Sequence, residues 1–93
     1  MNQDELVKAF KALANPNRLR LFEEIRRSEK KEIKRGCSLS SIIDHLNIGA
    51  PTVSHHLKEL VNAGLISTER RGKFVHCNVN DDAVDELGTF FGS

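Results

Sequence analysis

The residues best suited to chemistry lie between positions 51 and 58, which read PTVSHHLK. On a helix, Val53, Leu57 and Leu60 form an inward stripe, and Pro51, Thr52, Ser54, His55, Lys58 and Asn62 face outward. Hydroxyls and an imidazole donate and accept like the edges of bases in a DNA major groove, which is wide enough to admit a helix. Lys58 is placed to neutralise a phosphate. A second group follows in ERRGKF, where Arg70, Arg71 and Lys73 gather at the joint of two alternating runs. Such a basic tip suits a phosphate backbone or a minor groove. Ser40 and Ser41, expected in the first turn of the preceding helix, offer hydroxyl and backbone N–H groups to phosphate. Each group has a plainer reading, since polar helix faces are commonly only solvated and basic hairpin tips guard sheet edges. Their order along the chain is the more specific signal.

The two cysteines and four histidines are the remaining reactive groups. A thiolate–imidazole metal site needs about four converging ligands. His76 and Cys77 are adjacent on an expected strand, so they point to opposite faces. Cys77 shares its face with Val75 and Val79, as a buried, inert thiol would. Cys37 follows Lys34 and Arg35 and precedes an expected helix start, a setting that favours thiolate and makes it the candidate redox sensor. His56 leans inward between Val53 and Leu60, and His45 reads as a surface residue. No nucleophile–base pair, phosphate loop or paired carboxylate stands at recognisable spacing, so the reading is a non-enzyme with no cofactor and no metal site.

The elements that must position these residues follow from punctuation. Five helices and one β-hairpin are predicted, an α+β, mostly α, winged helix-turn-helix. The first helix spans about 4–14, with Leu6, Phe10 and Leu13 on one face. Asn15-Pro16 starts the second, with Leu19, Phe22 and Ile25 inward. Its end is open: RRSEKKEIKRG either continues it to Gly36 or forms a charged loop. Ser38 starts the third, with Leu39, Ile42, Ile43 and Leu46 as its stripe. Asn47 to Gly49 make a tight turn, on the expectation of left-handed backbone angles. The recognition helix spans about 50–62, with Val61 also inward and Gly64 as its cap. A wing over 66–79 turns at Arg71-Gly72. The last helix, about 81–91, carries Val84, Leu87, Phe90 and Phe91, an apolar face that needs a cover.

At 93 residues the chain reads as a single domain over 1–93, able to bury one small core and to gain more by dimerising through its terminal helices. Charged residues make up 29%, and no apolar run approaches the roughly 18–20 residues of a membrane span. With an amphipathic, acidic start in place of a leader, the expected compartment is the cytoplasm. The net charge of +1 conceals a division. Residues 17–35 hold eight basic and four acidic side chains, and 80–93 hold four acidic and no basic ones. A basic body with an acidic tail fits a polyanion partner on one side. Arg26, Arg27, Lys30, Lys31, Lys34 and Arg35 either extend a phosphate footprint or form a solvated, ion-paired helix extension.

FKALANPNRLRLFEEI resembles the opening of the ArsR/SmtB family of bacterial and archaeal repressors. LNIGAPTVSHHLKELVNAGLI is similar to that family's recognition motif, and RRGKFVHCNVN resembles its wing. The similarity covers about residues 5–80. It implies a homodimeric winged-helix protein that binds double-stranded DNA at a dyad operator, with the first and last helices as dimer interface. By position it implies Thr52, Ser54 and His55 near the bases and Arg70, Arg71 and Lys73 as wing contacts. The sequence departs from the family's metal sites. Ser38 and Ser40 occupy the places of a Cys-x-Cys pair, Cys37 falls one residue outside, and the last helix has Asp but no His. The segment between the second and third helices is several residues longer than the family usually has. No inducer is indicated. The competing reading is a winged-helix protein-interaction module, which would turn apolar residues outward on the recognition helix.

Overall fold

The computed structural model of the protein describes residues 1–31, 37–38, 43 and 49–92. Helix α1 spans Gln3–Leu13 and opens with a capping box. The Asn2 side chain accepts from the Glu5 backbone N–H at 2.8 Å, and the Glu5 carboxylate accepts from the Asn2 N–H at 3.2 Å. Helix α2 spans Pro16–Lys31. Asn15 Oδ1 accepts from the backbone N–H groups of Asn17 and Arg18 at 3.0 and 3.1 Å, the N-cap that Asn-Pro predicts. Helix α3, Ala50–Asn62, is the expected recognition helix at its expected bounds. Helix α4, Asp81–Gly92, closes the chain.

A three-stranded antiparallel sheet replaces the lone hairpin. Its strands are β1 (Cys37–Ser38), β2 (Ile66–Arg71) and β3 (Phe74–Val79), in the order β1-β3-β2. The wing turn is Gly72-Lys73, one residue later than Arg71-Gly72, because Arg71 still pairs with Phe74. Ser38 is a strand residue opposite His76 and not a helix start. The remainder of the expected third helix, with Ser40 and Ser41, lies outside the described residues, save Ile43, which is helical and packs on the core. Four helices are therefore seen among the described residues.

Ala9, Ala12, Leu21, Phe22, Ile25, Val53, Leu57, Leu60, Leu65, Ile66, Cys77 and Ala83 form the core. The helix phases differ from expectation in three places. On α1 the fully buried residues are Ala9 and Ala12, with Leu6, Phe10 and Leu13 half-buried at the margin. On α2 Leu21 is buried and Leu19 exposed, and on α3 Val61 is exposed. Small alanines let α1 approach the core closely, which displaces the larger side chains to its flanks.

Two turns need left-handed backbone. Gly64 has φ +77° and ends α3, with its N–H donating to the Val61 carbonyl and the Leu65 N–H to that of Leu60. Gly72 has φ +62° in the wing turn. Gly49 does not belong with them: at φ −58° and ψ 141° it is the N-cap of α3, and Pro51 fills the first turn. Asn80 joins the end of α3 to the start of α4. Its side-chain N–H donates to the Gly64 carbonyl at 2.8 Å, and its Oδ1 accepts from Ala83 N–H at 3.3 Å at the start of α4.

Candidate nucleic-acid interface

The recognition helix is seated from below and left open above. Val53, His56, Leu57 and Leu60 are buried. Pro51, Thr52, Ser54, His55, Lys58 and Asn62 are all exposed, as the periodicity predicts. The outward face is polar through Lys58 and includes the exposed Val61 near its C-terminal end, and its hydroxyls cluster in the first two turns.

His56 is the polar member of the seat. Arg18 Nε on α2 donates to His56 Nδ1 at 3.3 Å, linking the first turn of α2 to the middle of α3. Burial, the Arg18 charge and the neighbouring His55 all lower the His56 pKa. A neutral ring accepting at Nδ1 carries its proton on Nε2. The adjacent His55 points outward, with its ring centre 5.7 Å from that of His56.

The wing presents its basic residues on two faces. Successive strand residues alternate, so Arg70 shares a face with Thr68 and Arg71 shares one with Glu69. Arg71 bonds the Glu69 carboxylate at 3.1 Å, and both are partly solvated. Arg70 is exposed, as is Lys73 in the turn. The three cations thus share the wing tip without forming a single-sided cluster. Phe74 was not among the residues singled out from the sequence. It is half exposed, stands opposite Arg71, and carries the Lys73 ammonium 5.9 Å above its ring. Alternation counted back from buried Cys77 puts Phe74 on the outer face, which is the signal that would have found it.

The remaining candidates divide. Cys77 is fully buried, and burial pushes its thiol up to about 11, as expected of an inert core cysteine. Cys37 lies in β1, so the helix start invoked to activate it is absent at that position. Among the described residues no group of three or more His, Cys, Asp and Glu is arranged to hold a metal. In the basic stretch that begins at Arg26, Arg27 bonds Glu24 at 3.0 Å and Arg26 lies over the Phe22 ring at 6.0 Å. Both contacts are made within α2, and the side chains from position 29 to 36 lie outside the described residues, so neither reading of the segment is decided by them. Positions 32–36 lie outside the described residues.

The outer sides of α1 and α4 share an aromatic cluster. Phe10 meets Phe90 and Phe91 edge-to-face at 5.6 and 5.7 Å between ring centres, and the latter two meet at 5.1 Å. Phe90 and Phe91 remain 55% and 74% exposed, too much apolar surface for an isolated helix end. The N-terminal ammonium of Met1 pairs with Glu86 and ties the start of the chain to α4.

A helix with a polar outer face, seated on a three-helix core and followed by a basic antiparallel wing, defines a winged helix-turn-helix DNA-binding regulator. Residues 13–69 match a family model described as a helix-turn-helix domain. A probable mercury resistance operon repressor of Streptomyces lividans is 36% identical over 84 residues, which cover 90% of this chain and 62% of that protein. An arsenical resistance operon repressor of Bacillus subtilis is 33% identical over 78 residues, covering 84% of this chain and 69% of the relative. In fold, the chain is similar to the homodimeric winged helix-turn-helix DNA-binding domain of Mb0332 from Mycobacterium bovis, a possible ArsR-family regulator. The TM-score is 0.74 at 23% identity, with 94% of this chain and 74% of that one covered. The chain belongs to the ArsR/SmtB family of helix-turn-helix transcriptional regulators.

Proposed function

We propose that this protein is a cytoplasmic repressor that binds a dyad operator in double-stranded DNA as a homodimer. The observation that carries the reading is the division of α3, with Val53, Leu57 and Leu60 buried and Thr52, Ser54, His55 and Lys58 held outward. In a major groove, Thr52, Ser54 and His55 read base edges and Lys58 holds a phosphate. Arg70, Arg71 and Lys73 follow the flanking backbone or minor groove, and the hydroxyls of Ser40 and Ser41, which lie outside the described residues, are assigned to phosphate contacts. The exposed Phe90 and Phe91, with Phe10 and Leu87, supply the dimer contact. The dimeric state of the Mycobacterium bovis domain supports this assignment.

Fluorescence anisotropy on a labelled operator duplex and a scrambled control tests the division of roles. Ser54→Ala or His55→Ala is expected to change the ratio of the two affinities, and Lys73→Ala to weaken both by a similar factor while lowering the salt slope by about 1. Equal affinity of the native protein for operator and scrambled duplexes at moderate salt would refute sequence-specific regulation.

A further inference from the structure

Phe74 is out of keeping with its surroundings. The β2–β3 register sets it on the sheet face turned away from the core, together with Ser67, Glu69, Arg71, His76 and Asn78. Among the described side chains it is the one apolar residue on that face. It is 50% exposed, and the ring contact seen among the described residues is the Lys73 ammonium, 5.9 Å from its centre. Phe74 directly follows the Gly72-Lys73 turn and pairs with Arg71. The hairpin tip stands clear of the core on both sides, because Arg70, on the core-facing side, is exposed as well. A lone apolar side chain on a surface needs no partner. This one stands among Arg70, Arg71 and Lys73, which draw it towards a polyanion and leave it the one group at the tip suited to that polyanion's apolar parts.

We propose that Phe74 is an apolar contact of the wing with double-stranded DNA, its ring packed against the deoxyribose and base edges of the minor groove while the neighbouring cations hold phosphates. This role rests on the DNA-binding reading above, which gives Phe74 no part. Phenylalanine is among the apolar side chains that proteins place in a minor groove, where a ring excludes water from sugar C–H groups without needing a hydrogen bond. The ring also sets the state of its neighbour. Arg71 bonds the Glu69 carboxylate at 3.1 Å, which takes up part of its charge. The Lys73 ammonium is held over a neutral ring instead, so it stays at the tip with its charge intact for a phosphate. Burying the exposed half of a phenylalanine side chain is worth about four- to tenfold in affinity for each wing, and a dimer brings two. A neutral ring releases no counterions, so this share of the affinity does not vary with salt.

The test titrates a labelled duplex, recovered from a random pool by selection with the native protein, at several salt concentrations. Phe74→Ala should weaken binding by about tenfold or more at every salt, so that its plot of log affinity against log salt runs parallel to the native one. Phe74→Leu should lose less. Melting midpoints should stay near native, since the ring is no part of the core. The chain has no tryptophan or tyrosine, so Phe74→Trp places a single indole at this position. Adding the duplex should shift its emission and shield it from acrylamide. Native affinity in Phe74→Ala, or an indole as open to acrylamide in the complex as in the free protein, would overturn the proposal. A loss in Phe74→Ala that comes with a shallower salt slope would overturn it too, because the ring would then act only by holding Lys73. A native protein that binds no duplex would refute the DNA-binding reading and this role with it, a result distinct from native binding that ignores Phe74.

Discussion

Replacing Arg18 by Met removes the one polar contact seen between α2 and the recognition helix among the described residues, and its cost can be worked from the geometry. Met keeps an unbranched apolar stem but leaves His56 Nδ1 facing α2 without its donor. His56 is only 8% exposed, so water replaces that donor poorly. An orphaned buried acceptor costs roughly 1–3 kcal/mol, against about 0.5–1.5 kcal/mol for the net worth of an ordinary hydrogen bond. The bond is at the long end of the normal range, at 3.3 Å, and Arg18 is itself partly solvated, which places the expected cost near 1–1.5 kcal/mol. In a domain of this length that lowers Tm by about 5–10 °C. His56→Leu removes the acceptor as well as the need for the donor. Arg18→Met/His56→Leu should therefore lie within about 0.5 kcal/mol of His56→Leu alone. Urea melts of the four proteins close the cycle. Strictly additive losses would mean that the two side chains do not interact, and the reasoning would fail.

The same pair gives a pH dependence with a definite sign. The folded state holds the His56 pKa below its ordinary value of 6.5, first through burial and then through Arg18 and His55. Above that value neither state binds the proton, and His56 leaves stability flat. As the pH falls through it, the unfolded chain takes up a proton that the native chain refuses, and stability declines until the folded pKa is passed. Arg18→Met should shallow this decline, because one cause of the shift is gone; an unchanged slope in urea melts across that range would remove Arg18 from the account. Gly64→Ala should cost about 1–2 kcal/mol from backbone strain alone, since φ is +77° and an added Cβ meets nothing within 4 Å. A melting midpoint equal to that of the native protein would show that the turn has another conformation. Leu87→Asp should yield monomers in sedimentation, and intact dimers would place the interface away from α1 and α4.

Much of the site was legible because its signals are local. Gly49, Pro51 and Gly64 bracket the recognition helix within a few residues of its ends, and the Val53–Leu57–Leu60 spacing fixes which side faces out. Cys77 was placed by simple alternation with Val75 and Val79. The misplaced features depend on contacts made at long range. Leu6, Phe10 and Leu13 form a proper apolar face, yet the core takes Ala9 and Ala12, because close approach favours small side chains there. Leu19 fits the same helical period as Phe22 and Ile25 but falls on the exposed edge of α2, and only the direction from which α3 and the sheet pack selects Leu21 instead. β1 has two residues, too few to show alternation, so its pairing with β3 and the opposition of Cys37 to Cys77 had no sequence signature. Asn80, not singled out from the sequence, accepts from Ala83 N–H at the start of α4 and donates to the Gly64 carbonyl sixteen residues away, a link that appears only in the fold.

The central claim is that the outward face of α3 reads a DNA sequence, and selection of duplexes from a random pool tests it most directly. The account predicts enrichment of one imperfect dyad, bound with an affinity that falls steeply as salt rises. A pool that remains random, with only weak binding shared by all sequences, would contradict it.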